Sequence, residues 1–384
     1  MMELINEFDD KMVKKKEEID NKEEKIHVSG QWDTSLNNDD PTEHNDFSQN
    51  PERQVPDVGS VEITVEPELD LSVSQLDGVG AVTQKKLEAF GVTNLIDICV
   101  RGAREVSEIT SVSKPTCDSW VFKAQKILED NDLIRKSDMD VLDLMDYHEQ
   151  LPTVKTGCTE VDDLMGGGVR PEAIYEIYGE FGAGKTQFCN TITCNTIAEG
   201  GNVIWIDCED TFKPRRIVEI LVAREEITPE EAKKKLNNIT YLYTPNTEQL
   251  LGTINALSTL LLEKKPKLVV LDGAIGQFRE EYLGRGTLAE RQMQIARLMT
   301  HIKNISFYFR CPVVFTNQVQ SDPSMMFGDP IKPIGGNVVA HASTYRIYFK
   351  KRGKKRLARM VDSPEHAQAD AEYMLTDKGL VNVE

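Results

Sequence analysis

The chain has no run of ~18–20 consecutive apolar residues, which excludes an apolar helical membrane span. Lys14, Lys15 and Lys16 are not followed by an apolar stretch, so no secretory leader is expected. The seven cysteines (99, 117, 158, 189, 194, 208 and 311) include no C-x-x-C pair, so neither zinc nor a disulfide framework is expected. Positive charge is also short: 45 Lys and Arg stand against 63 Asp and Glu, a net of −18. That deficit argues against a nucleic-acid partner until its distribution is read. Residues 1–70 hold 20 acidic and 7 basic residues, which leaves a net of only −5 on the remainder. Bulk charge therefore says little about the folded body. The expectation is a cytoplasmic, reduced protein with no membrane partner.

Residues 1–70 show no apolar period across stretches such as Gln31 to Pro51, and are expected to be a disordered acidic tail. Residues 71–131 read as a small all-α module. Gly78-Val79-Gly80 forms a turn before a helix over Val82–Phe90. Ile109 to Ser113 followed by Lys114 to Leu128 looks like a degenerate second copy. The pair resembles helix–hairpin–helix motifs, whose glycine turns aim backbone amides at DNA phosphates. The second copy lacks glycines, so Gly78 and Gly80, with Lys85 and Lys86, are the contact candidates. Residues 132–152 read as a linker, and 153–384 as the main domain.

Within that domain, Gly179-Glu180-Phe181-Gly182-Ala183-Gly184-Lys185-Thr186 matches G-x-x-x-x-G-K-[ST] at every fixed position. It follows the apolar run Ala173–Tyr178 and precedes a helical pattern from Gln187. Strand, glycine loop and helix in that order make a phosphate-binding loop, with backbone N–H groups and a lysine turned to the anion. Further apolar strands at Asn202–Asp207, Ile239–Tyr243, Lys267–Asp272 and Pro312–Thr316 alternate with helical patterns such as Thr247–Leu262 and Leu288–Phe309. This predicts an α/β fold with a mainly parallel central sheet. Tyr345–Lys351, Arg356–Val361 and Glu372–Leu375 predict an antiparallel extension.

A nucleotide hydrolase needs a metal-binding carboxylate. Leu268–Asp272, an apolar strand ending in Asp, has the Walker B form. Thr186 is expected to ligate Mg²⁺ directly and Asp272 through water. Glu209 is the first candidate to activate the attacking water, with Asp207 and Asp210 as rivals on position. Gln318, just beyond the strand Val313–Asn317, is a candidate γ-phosphate sensor. The aperiodic stretch Val319–Ile334 after it reads as a functional loop.

Beyond single motifs, the chain resembles the archaeal RadA recombinases of the RecA-like strand-exchange family. The blocks that carry the likeness are Gly179–Gln187, Ile206–Ile217, Phe278–Gln292, Val314–Val319, Phe327–Ser343 and Arg356–Pro364. The resemblance implies a RecA-like P-loop ATPase core using ATP and Mg²⁺. It also implies filaments or rings of identical subunits on single-stranded and double-stranded DNA, and a nucleoid-associated location. It assigns catalysis to Glu209 and adenine stacking to Arg216. Gln187 and the rest of the phosphate loop contact nucleotide. His341 links nucleotide to the subunit interface, and Asp362, Ser363 and Pro364 cap the neighbour's ATP. Phe278–Gly286 and Val319–Ile334 become DNA loops, with Arg279, Arg285 and Arg291 on the DNA backbone. The cationic run Lys350 to Arg356 would add a DNA-facing hairpin.

The sequence departs from that pattern in places. A Phe-x-x-Ala interface plug aligns here with Val141-Leu142-Asp143-Leu144. Valine buries less area than phenylalanine, a loss of about 1–2 kcal/mol per interface. Gly273 stands where a serine is common, and Lys213 and Arg215 replace a more usual Arg and Glu. Two alternatives follow: a non-exchanging mediator that binds ATP and DNA, and a hexameric RecA-fold helicase. Retained DNA loops and Glu209 disfavour the first; the hairpin module and the Gly-Arg-Gly loop disfavour the second.

Overall fold

The computed structural model describes residues 69–284, 286–321 and 331–383, so the expectation for the acidic tail lies outside the described residues. The central sheet has nine strands: β1 (Ile174–Gly179), β2 (Val203–Asp207), β3 (Ile239–Tyr243), β4 (Leu268–Asp272), β5 (Val313–Asn317), β8 (Tyr345–Arg352), β9 (Lys355–Asp362), β10 (Asp370–Thr376) and β11 (Gly379–Val381). A separate two-stranded ribbon pairs β6 (Val319–Ser321) with β7 (Ile331–Pro333). The order across the large sheet is β11-β10-β9-β8-β1-β5-β4-β2-β3. Pairings from β8 through β3 are parallel; those from β8 through β11 are antiparallel.

Helices cover both faces because the central strands are apolar on both. Ile204, Ile206, Val269, Leu271, Val313 and Phe315 enter one core, while Val203, Trp205, Leu268, Val270 and Val314 enter the other. Successive residues of a strand point to opposite faces, so unbroken apolar runs mark a sheet buried twice. The expected helix Thr247–Leu262 is two helices, Thr247–Asn255 and Leu257–Lys264, broken at Ala256.

The N-terminal module is built on helices Ala81–Ala89, Leu95–Thr110 and Lys114–Asp130, the second interrupted at Gly102. That long middle helix starts with a capping box between Asn94 and Asp97, a signal the hairpin reading passed over. Lys86, expected on DNA, instead donates to the carbonyl of Thr110 at 2.9 Å and ties the two hairpins together. The second hairpin's helix is capped by its own Ser113. Gly80 caps the first helix with no side-chain bond, which leaves that N-terminus open. The module packs on the helix Leu288–Tyr308. Glu105 meets His301, Asn304 donates to the carbonyl of Val100, and Gln125 bonds Tyr308.

Val141–Gln150 form a helix, with Val141 81% exposed while Leu144 turns into a cleft with Arg135 and Glu172. The helix is held by Tyr147, which bonds the Glu172 carboxylate, and by the Arg135–Glu172 ion pair at 3.1 Å. Among the described residues, no helix is long and apolar enough to cross a membrane.

Candidate active site

The loop Gly179–Thr186 leaves the end of β1 and opens the helix Lys185–Ala198. Its cap residue, Gly184, has φ +109° and bonds no side chain, so the first N–H groups of the helix face the loop unclaimed by a cap. A helix N-terminus left open in this way is an anion site. The Lys185 ammonium donates to the carbonyls of Gly179 (2.9 Å) and Glu180 (3.2 Å). Burial lowers its pKa, against the raising effect of Glu209 and Asp272.

Around the loop is a cleft of about 390 Å³ lined by Thr186, Glu209, Asp272, Thr316 and Gln318, within the ~300–1,000 Å³ of small-molecule sites. Asp272 ends β4 nearly fully buried. It accepts from Thr316 Oγ1 (2.6 Å) and Thr211 Oγ1 (2.9 Å), and Thr186 bonds it as well. Burial pushes its pKa up, and these hydroxyls only partly offset that. A buried carboxylate beside hydroxyl oxygens is a donor set that suits a hard divalent cation.

The three acids near β2 divide clearly. Asp207 is fully buried. Its oxygens accept from the N–H groups of Glu209 (3.0 Å), Thr211 (3.3 Å) and Phe212 (2.9 Å) and from the Tyr241 hydroxyl (3.2 Å). It is an anchor for the turn, with no oxygen free. Asp210 is exposed, lies 3.9 Å from Lys213 and does not line the cleft. Glu209 alone of the three lines it, and Gln318 Nε2 donates to Glu209 Oε1 at 2.8 Å.

Other expected residues are less simply placed. Arg216 has its guanidinium fixed by Gln187 Oε1 (3.0 Å) and the carbonyls of Thr376 (2.6 Å) and Asp377 (3.2 Å). His341, on the helix Gly336–Ala342, is exposed and does not line the cleft. Asp362 pairs with Arg346 near the start of β8, whereas Gly179 pairs with Phe349 three residues on. At ~3.3 Å per residue, Asp362, Ser363 and Pro364 begin about 10 Å towards the opposite sheet edge from the phosphate loop. None of the three lines the phosphate-loop cleft of its own chain.

Arg279 is exposed on the short helix Gly276–Glu281, Gly286 is exposed, and Arg291 is half-buried in the first turn of Leu288–Tyr308. Arg285 and most of the second loop lie outside the described residues. In the cationic hairpin, Arg352 and Lys355 pair with Glu372 at 2.9 and 3.0 Å. A β-carbon built at Gly182 would lie 2.7 Å from Lys351 Nζ, so this lysine stands at the phosphate loop. Sequence reading missed Thr211, Thr316 and the anchoring role of Asp207. The only signal was a polar residue at or just past an apolar strand's end.

The sequence model of the family described as Rad51 matches residues 148–383. The DNA repair and recombination protein RadA of Cenarchaeum symbiosum (strain A) is 40% identical over 322 residues, which cover 82% of this chain and 80% of that protein.

Proposed function

The chain belongs to the Rad51 family, and from that premise we propose that it is a DNA-dependent ATPase that assembles on single-stranded DNA and catalyses homologous pairing and strand exchange in recombination and repair. The observation that carries this reading is the meeting of Lys185, Thr186, Asp272, Glu209 and Gln318 in one cleft, with Gln318 at the head of the expected DNA loop.

ATP with Mg²⁺ is the proposed ligand. The open helix end and Lys185 suit phosphate oxygens, and Thr186 with Asp272 suits the metal. Bound Mg²⁺ would neutralise charge on the phosphate oxygens. Lys185 would exchange its loop carbonyls for phosphate. Glu209 would orient the attacking water and accept its proton, and Gln318 would hold the Glu209 carboxylate in place. Arg216, immobilised at three points, offers a flat cation for the adenine. Asp362, Ser363 and Pro364 would close the site of a second copy, with His341 at the same interface, so each chain carries half of two sites. Val141 and Leu144 remain the proposed interface positions. Arg279, Arg285, Gly286 and Arg291, with Gly78 and Gly80 in the module, are the proposed DNA contacts, and all would act on the backbone without reading bases.

A strand-exchange assay with single-stranded DNA, homologous duplex, ATP and Mg²⁺ tests the proposal. Joint molecules are expected. DNA binding without joint molecules would overturn it in favour of a mediator.

A further inference from the structure

The expected DNA loop Phe278–Gly286 begins on the helix Gly276–Glu281, and the residue just before the loop is Gln277, 7% exposed. Residues two apart on a helix point about 200° from each other. Arg279 therefore stands in solvent while Gln277 enters the core, with the fully buried Phe278 fixing the turn between them. Gln277 Nε2 donates to the carbonyls of Cys208 (2.9 Å) and Thr244 (2.6 Å). Cys208 is the residue before Glu209, and Thr244 directly follows β3. The Cys208 N–H donates to the carbonyl of Asp272 and the Thr244 N–H to that of Asp207, each at 2.9 Å. One side-chain amide thus bridges the ends of β2 and β3 where the turn that carries Glu209 departs. At the other end of the helix, Glu281 accepts from the N–H and the hydroxyl of Thr247.

Packing alone does not call for an amide at this position. Its oxygen is buried with no partner among the described residues, a cost that an apolar side chain would avoid. What the amide supplies is its pair of N–H donors, and one of them goes to the backbone that leads into Glu209. We infer that Gln277 is a positioning residue that joins Arg279 to Glu209. DNA held at Arg279 fixes the short helix, and Gln277 passes that restraint to the backbone of the Cys208–Phe212 turn. The inference rests on the proposed function, with Arg279 on DNA and Glu209 on water. It reaches Glu209 through the backbone, whereas Gln318 holds the carboxylate, so the two routes are separate.

Gln277→Met removes both donors at similar volume, and Gln277→Asn draws the amide back by one methylene. Steady-state ATPase of the full chain is read without DNA and at saturating single-stranded DNA. The ratio of the two rates should fall about tenfold in each variant, with KM for ATP within about twofold of wild type. Arg279→Ala should lower the same ratio, and should lower it little further in a Gln277→Met background. Equal falls in both rates, or loss of the folded state in both variants, overturn the inference, since the amide would then only brace the fold. An undiminished ratio in Gln277→Met, or additive losses with Arg279→Ala, overturns it while leaving the proposed function intact. A wild-type rate that ignores DNA overturns the proposed function and the link together.

Discussion

Gln318 Nε2 donates a 2.8 Å hydrogen bond to Glu209 Oε1, joining a strand end before the expected DNA loop to the acid that faces the phosphate loop. Under the proposed function, this bond would couple DNA occupancy to hydrolysis. A hydrogen bond to a charged group contributes ~1.5–3 kcal/mol, so Gln318→Ala should lower DNA-stimulated turnover by about 10- to 100-fold if the bond is felt in the transition state. Glu209→Gln removes the proton acceptor itself and should cost ~10²–10⁴-fold with ATP binding retained. Steady-state ATPase with and without DNA checks both. DNA stimulation unchanged in Gln318→Ala would disconnect the two residues.

Asp207 makes the next prediction, because it accepts three backbone N–H groups and the Tyr241 hydroxyl from a fully buried position. Asp207→Asn turns an NH₂ group towards donors. The expected cost is ~1–3 kcal/mol of stability, together with reduced turnover as the 208–212 turn loosens. Tyr241→Phe removes one bond of the four and should do less. Urea denaturation orders the three proteins, and equal midpoints would show that Asp207 is not the anchor.

Much of this arrangement is legible in the chain. The apolar runs that form β1, β2, β4 and β5 are short and alternate with helical patterns, which reads as buried strands, and the glycine loop needed no partner to be recognised. Adjacency was not legible. Asp272 depends on Thr316 because β4 lies beside β5, with Leu271 opposite Phe315, and no local pattern encodes that pairing. Asp207 stays a rival to Glu209 on position for the same reason: which acid turns inward is decided by the backbone amides that surround it. The helix Val141–Gln150 is short and mixed in character, and it is held by Arg135 and Glu172, both outside it.

Asp362 pairs three residues along β8 from the partner of Gly179 and does not line the phosphate-loop cleft, which leads to a mixing experiment. Lys185→Ala should lack the phosphate contact, and Asp362→Ala should lack the cap given to a neighbour. Each alone should be a poor ATPase. Mixed in equal amounts, random assembly should restore about a quarter of the interfaces, those that pair an intact loop with an intact cap. Turnover of the mixture above that of either parent is the expected result. A mixture no better than its parents would remove residue 362 from the shared site.

Glu105 supplies a pH-dependent test of how the N-terminal module is held. Its carboxylate is buried against Arg101 (2.8 Å), His301 (2.8 Å) and, more distantly, Arg297 (3.5 Å). Burial alone would raise its pKa, but hydrogen bonding and charge from His301 and Arg101 outweigh that, and the net shift is downward from 4.5. A depressed acid stabilises the folded state above its unfolded pKa and loses that contribution as pH falls through the folded value. Glu105→Gln leaves the buried Arg101 guanidinium without its carboxylate, a loss of about 3–5 kcal/mol for a broken buried pair. Because the wild type forfeits the same contribution in acid, the gap between the two proteins in urea denaturation should be widest near neutrality and shrink below pH 4.5. The helix Leu288–Tyr308 carries His301 at this contact and Arg291 in its first turn. The variant should therefore also weaken DNA binding at neutral pH, although Glu105 itself is not among the proposed DNA contacts. A stability gap that stayed constant with pH would mean that Glu105 is not charged in the folded chain, and that packing alone holds the module.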